Sequence, residues 1–326
     1  MSNGRREPVP GTKCQTDKEE DVLEHTAAAP QPTRGKKKTA LQKIEPFLYL
    51  APAFLFFIVF TYYPFIKTFL GTFFTVDSMG NWKSFAGMEN YINVLTNESF
   101  LTSIKNTIIY VIMAAPVSIL IALLLAMLAS KRTRTSSIYE TLFSLTMAMS
   151  MSVSAMIFRL AYNPTIGALN YILGTRINWL NDPKWAMLAV SFIAVWMNIG
   201  YNFLFLLAAI RGIPDDILES ANLDGAGFFS RTVNIIIPMI SPTLFFLICT
   251  SLAKNMMMSG LVLIFTNGAN MSTTSNIDTM ISFMYKQAVN NFNYNDAYAA
   301  AMIAFALTFV LMLISFRFEK KGVHYN

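Results

Sequence analysis

Few residues in this chain of 326 are placed to do chemistry, and those few point to binding rather than to bond making. Lys254 stands inside a long apolar run, and a lysine at the centre of a membrane helix costs about 3 kcal/mol on insertion scales. It must face a cavity, snorkel or pair, so a functional role and a packing role both stay open. Trp196, Asn198, Tyr201 and Asn202 crowd one short stretch of another apolar run. On a helix, Trp196 and Gly200 would share one face and Asn198 and Asn202 another. At least one of these two sets should face a neighbouring helix. A third group, Asp215, Asp216 and Glu219 followed by Gly225, lies in a polar loop.

The absences matter as much. The two histidines, His25 and His324, lie near the chain ends, so the apolar part has none. That argues against intramembrane metalloproteases and serine proteases that need one. Cys14 and Cys249 form neither a CxxC spacing nor a disulfide framework. There is no GxxxxGK[ST] loop, so the chain has no P-loop for ATP. Met147, Met149, Met151 and Met256 to Met258 read as flexible packing rather than a metal path. No catalytic residue and no metal ligand is assigned.

The scaffold that carries these groups is apolar. Mean hydropathy is +0.44, and 13% of residues are charged, where a soluble domain has about 25%. A membrane helix needs roughly 20 mostly apolar residues to cross about 30 Å of hydrocarbon. Stretches of that kind at 47–66, 106–130, 141–158, 185–210, 232–253 and 297–316 predict an all-α membrane protein with about six transmembrane helices. Pro238 and Pro242 imply a bent approach to the fifth, which moves that span to about 239–263. Residues 1–45 hold nine of the 25 Lys and Arg and no apolar period, as expected of a disordered cytoplasmic tail without a signal-peptide core. Residues 46–326 form the membrane domain.

Net charge is +6, but Lys36 to Lys38, Lys43, Lys131, Arg132 and Arg134 sit beside apolar spans. Such clusters set topology or touch the lipid bilayer; no nucleic-acid partner is expected. With the N-terminus inside, the inner segments carry thirteen Lys or Arg in 54 residues and the outer segments seven in 96. The positive-inside rule then places both termini in the cytoplasm.

The loop between spans four and five reads as a short helix with its own start and stop. Pro214 suits the first turn, Asp215 and Asp216 suit the positive end of the helix dipole, and Gly225 and Gly227 permit a left-handed exit. Ile217, Leu218, Ala221 and Leu223 supply apolar positions with no bilayer core to bury them. Two covers stay open: a groove on a partner protein, or the headgroup layer, for which the acids are poor choices.

Glu219, Ser220 and Ala221, then Gly225 six residues after the Glu, then Ile235, Ile237 and Pro238, resemble the EAA loop of binding-protein-dependent ATP-binding-cassette (ABC) permeases, here at 212–238. Gly212-Ile-Pro214 and Leu223-Asp224-Gly-Ala226 are similar to the carbohydrate (maltose-type) subgroup. So are residues 85–91 (Phe-Ala-Gly-Met-Glu-Asn-Tyr) with Asn106-Thr107, residues 162–167 (Tyr-Asn-Pro-Thr-Ile-Gly) with Asn170, and Trp196 with Gly200. The match covers about residues 47–317. Ser220 replaces an Ala and Ile237 a Leu; residues 144–149 lack the usual Pro, and residues 266–270 the usual Gly-Gly-Pro.

The resemblance implies a permease subunit of an ABC importer in a prokaryotic cytoplasmic (inner) membrane. Its partners would be cytoplasmic ATPase subunits, a second, homologous but non-identical permease, and an extracytoplasmic solute-binding protein that delivers a sugar or oligosaccharide. ATP and Mg would act in the ATPase, with no cofactor on this chain. Glu219, Ser220, Ala221, Asp224, Gly225 and Pro238 would couple to that ATPase, while Trp196, Asn198, Tyr201, Asn202 and Lys254 are the candidates for the solute path. Trp82, Tyr91, Trp179 and Trp185 would lie at the outer face, as an interfacial belt or as binding-protein contacts. The alternative, a secondary transporter or channel, would need intramembrane Asp or Glu for ion coupling, and the six stretches contain none.

Overall fold

The structure is a computed structural model that describes residues 40–131, 133–266 and 277–322. The expected tail lies outside the described residues up to position 39, as do residues 267–276. The described residues divide into two compact units, one ending at Tyr62 and the other beginning at Tyr63. In the first, α1 (Ala40–Phe57) runs into a π-helical turn, Ile58–Tyr62, so helix starts ahead of the boundary placed at Glu45.

The second unit opens with α2 (Tyr63–Gly71) and an antiparallel ribbon of β1 (Phe74–Val76) and β2 (Trp82–Phe85), with Phe74 opposite Phe85 and Val76 opposite Trp82. In α3 (Glu89–Thr96), the buried Asn90 donates from Nδ2 to the Thr72 carbonyl at 2.9 Å and the Phe74 carbonyl at 3.0 Å. The motif at 85–91 thus fastens α3 to the ribbon.

α4 (Glu98–Leu128) is capped by Asn97, whose side chain accepts from the Ser99 and Phe100 N–H groups. At 1.5 Å per residue it is about 46 Å long, more than the hydrocarbon core. Pro116 sits inside it, which membrane helices tolerate because neighbours re-satisfy the freed backbone. Ala115, Ser118, Ala122 and Ala126 form a buried stripe of small residues. Such a stripe lets another helix pack closely where lipid offers no hydrophobic drive, and the helix Ala186–Arg211 is that neighbour.

The third span is not the continuous helix expected over 141–158. It is broken into α5 (Arg134–Ala148) and α6 (Met151–Ala161), and its two halves bend by 100°. Hydroxyls that bond back to the helical ladder flank the break. Ser144 bonds back to the Thr141 carbonyl at 3.0 Å and Thr146 to the Phe143 carbonyl at 2.9 Å. Met149 and Ser150 are extended, and the Ser150 carbonyl then accepts from both the Ser154 N–H and its hydroxyl. After α7 (Ala168–Leu173) comes α8 (Ala186–Arg211), the fourth span.

α9 (Asp215–Leu223) and α10 (Phe228–Arg231) form the loop, followed by a π turn at Thr232–Ile236 and α11 (Ile237–Met239) carrying Pro238. This is the bent approach expected before span five. That span itself is α12 (Ser241–Met256) and α13 (Gly260–Thr266), interrupted at 257–259. α14 (Met280–Tyr285) and α15 (Tyr294–Gly322) complete the fold. Five described segments are long and apolar enough to cross a membrane: Phe47–Gly71, Glu98–Leu128, Ala186–Arg211, Ser241–Thr266 and Tyr294–Glu319; the bent pair makes six.

Candidate functional site

Lys254 lies midway along the span Ser241–Thr266. Its Nζ donates to Asn198 Oδ1 at 2.9 Å. Asn198 Nδ2 donates in turn to the Ala194 carbonyl at 2.8 Å, one turn back on α8, which fixes the amide with its oxygen toward the lysine. Both residues line a cavity of about 470 Å³, within the roughly 300–1,000 Å³ of ligand pockets. Tyr110 from α4, Met151 from α6, Ala194 and Met197 from α8, and Asn255, Met257, Met258, Ser259, Gly260 and Leu261 complete its wall.

The other expected pathway residues stand elsewhere. Trp196 meets Phe158 of α6 edge-on, with ring centroids 5.4 Å apart, and lines a separate apolar cavity of about 530 Å³ with Trp179 and Trp185. Tyr201 packs on Phe205 at 4.7 Å. Asn202 is buried, and its Nδ2 donates to Ser118 Oγ of α4 at 3.1 Å. The structure therefore brings Asn198 and Lys254 together at this cavity, while Trp196, Tyr201 and Asn202 are not among its lining residues.

Gly200 explains how α8 seats against the bent pair. Its N–H reaches Thr146 Oγ1 at 3.1 Å, and a Cβ built there would collide with that oxygen and with the Phe143 carbonyl. Only glycine allows the two backbones this close.

In the loop, Asp215 and Asp216 occupy the first turn of α9 after Pro214. The helix ends in a Schellman motif: the Ala226 N–H donates to the Ala221 carbonyl and the Gly225 N–H to the Asn222 carbonyl, with Gly225 at φ +73°. Ala221 is buried against its own chain, whereas Glu219, Ser220, Asp224 and Gly225 are exposed. Leu223, Phe228 and Phe229 are 84%, 57% and 79% exposed, so the loop shows apolar surface. Pro238 lies at the start of α11.

Two groups escape the sequence reading. Arg211, counted there only as a topology charge, bonds to Glu140 Oε1 at 2.6 Å, to the Ala129 carbonyl at 3.0 Å and to the Ser130 carbonyl at 3.2 Å. With a further bond to Ser136 Oγ at 3.3 Å, it joins the end of α4, the first half of α5 and the end of α8 just ahead of α9. Glu140 is the one acid between Glu98 and Asp182, a signal that could have found it. Tyr110 carried no signal, being a tyrosine in an apolar helix. Trp179 is buried in the same core cluster as Tyr110, and its Nε1 donates to Asn170 Oδ1 at 2.8 Å.

A family model described as a binding-protein-dependent transport system inner membrane component matches residues 114–321. The sn-glycerol-3-phosphate transport system permease protein of Agrobacterium fabrum is 33% identical over 288 residues, covering 87% of this chain and 97% of that protein. Its counterpart in Brucella abortus is 30% identical over 295 residues, covering 89% of this chain and 100% of the relative. A chain in the crystal structure of a bacterial alginate ABC transporter, in complex with alginate pentasaccharide-bound periplasmic protein, superposes with a TM-score of 0.74 at 20% identity, covering 87% of this chain and 98% of that one; this likeness speaks to the fold. The model spans more than half of the sequence and the relatives most of it, and the chain accordingly belongs to the binding-protein-dependent transport system inner membrane components, as a multi-pass membrane permease subunit of an ABC importer and not an enzyme.

Proposed function

We propose that this permease forms half of the membrane path for a sugar or sugar-derived solute, handed over by an extracytoplasmic binding protein and driven by a cytoplasmic ATPase docked on the loop at 212–238. The observation that carries the coupling is α9 with its flanks. It is a short helix stopped by a left-handed Gly225, with Glu219 and Asp224 exposed beside bare Leu223 and Phe229. An apolar face rimmed by carboxylates suits a protein groove rather than an anionic lipid surface. Glu219 offers its carboxylate to a basic residue or to exposed N–H groups, and Ser220 lies beside it. Ala221, turned inward, lets α9 seat closely on the membrane body, while Gly225 and Pro238 set the angles at which the loop leaves α9 and enters span five.

ATP and Mg act in the ATPase on this reading, and a second, homologous permease completes the channel. The charge bias favours both termini in the cytoplasm of a prokaryotic cell, with the spans in its cytoplasmic membrane. Co-purification tests the coupling. Glu219→Lys should insert at normal abundance but lose the ATPase in detergent, or retain it without coupling hydrolysis to uptake. A variant that keeps both the ATPase and the normal uptake rate refutes α9 as the coupling helix.

A further inference from the structure

We propose that the cavity walled by α4, α8 and α12 binds the anionic group of the transported solute, a phosphate monoester or a carboxylate, through Lys254 and Tyr110. This rests on the importer reading and adds to it a chemical class and a site. Lys254 carries three N–H donors, and the one hydrogen bond that it makes among the described residues goes to a neutral oxygen, Asn198 Oδ1. The ion pairs among the described residues are Lys83–Asp77, Arg211–Glu140 and Lys286–Asp278, so no described carboxylate lies within 4.0 Å of the Lys254 ammonium. A charge out of water calls for an opposite charge or several hydrogen bonds, and here the protein supplies one neutral acceptor.

Tyr110 is a second, independent observation. It is 2% exposed, lines the same cavity, and its hydroxyl has no hydrogen-bond partner among the described residues. The remaining N–H donors of Lys254 and the Tyr110 hydroxyl therefore lie at one cavity, carried by α12 and α4. A neutral polyol needs hydrogen-bond partners but no cation, whereas an anion neutralises Lys254 and takes the tyrosine hydroxyl as well. Met151, Met197, Met257 and Met258 also line the wall, beside Asn255 and Ser259, and their flexible thioethers adapt to the carbon skeleton of the bound molecule.

Uptake by cells expressing the complete importer decides the matter, with radiolabelled sn-glycerol 3-phosphate and glucuronate as anions and glycerol and glucose as neutral counterparts. The wild type should take up at least one anion in preference to its neutral counterpart. Lys254→Gln should lower that uptake by about tenfold or more, Lys254→Arg should retain it, and Tyr110→Phe should raise the half-saturation concentration several-fold. Membrane abundance is measured throughout, and if Lys254→Gln fails to accumulate, Tyr110→Phe decides. Wild-type uptake of neutral solutes with neither anion, or an unchanged half-saturation concentration in Lys254→Gln or Tyr110→Phe, overturns the anion site and leaves the importer intact. Uptake that persists with a disabled ATPase overturns the importer reading, and the site with it.

Discussion

Lys254 Nζ and Asn198 Oδ1 stand 2.9 Å apart and tie the fifth span to the fourth at the wall of the cavity. The asparagine can give only its oxygen, because its Nδ2 is engaged with the Ala194 carbonyl. It steers the ammonium without neutralising it. That distinction separates a lysine held ready for an incoming charge from one sealed in a structural ion pair.

Asn198→Asp should impair the permease without a matching gain in stability. A carboxylate at this position would pair with Lys254, but it loses the Nδ2 bond to the Ala194 carbonyl and turns an oxygen toward it, so thermal unfolding in detergent should not move upward. Anion uptake should fall by about tenfold, because the protein now supplies the counter-charge. Unchanged uptake would show that Lys254 does not meet the solute.

Gly225→Val should damage coupling without damaging insertion. A β-branched residue in a left-handed conformation costs at least about 1 kcal/mol, and the Schellman bonds at Ala221 and Asn222 depend on that turn. We expect normal membrane abundance with loss of the ATPase from detergent extracts. Normal ATPase retention together with normal transport would refute this.

Gly200→Leu should destabilise the fold by about 1–3 kcal/mol, the usual penalty of overpacking. Thr146→Ala should not rescue it, because the added Cβ also meets the Phe143 carbonyl, which no side-chain change removes. Thermal unfolding of the single and double variants provides the check, and full rescue would show that the hydroxyl is the sole obstacle.

Arg211→Met should cost more than Glu140→Gln. The first leaves the Ala129 and Ser130 carbonyls and the Glu140 carboxylate without their guanidinium, a loss of roughly 1–3 kcal/mol. The second keeps an amide oxygen in the same place. Equal unfolding temperatures for the two variants would mean that the carbonyl bonds contribute nothing.

Topology is open to direct labelling. In a background lacking Cys14 and Cys249, Asn81→Cys should react with an impermeant maleimide added to intact cells, and Lys38→Cys should react only after lysis. The reverse pattern would invert every assignment of inside and outside.

What the sequence reveals of this fold follows from which interactions are local. Apolar length and charge bias are local, so the spans can be counted from them. The loop helix is legible because Pro214, the two acids and Gly225 act within their own turns. Pairings between distant helices are not legible. Nothing in the stretch around Trp196 says that Asn198 turns toward span five while Asn202 turns toward Ser118, because both lie on one face of α8 and differ only in what lies opposite. The break in span three escapes for a related reason. Each of Ser144, Thr146 and Ser150 is compatible with a membrane helix, and the break they flank lies beside a close contact at Gly200, 54 residues beyond Thr146.

The bend at Met149 and Ser150 also gives the molecule a bearing about its own axis. Hydrocarbon offers no partner to a backbone that has left its helical ladder, so a break of this kind can face only protein or a water-filled space. Counting spans says how many times the chain crosses the bilayer but not which way each helix is turned. The elbow bears on one sector: at hydrocarbon depth, the side that carries Met149 and Ser150 has to face protein or water.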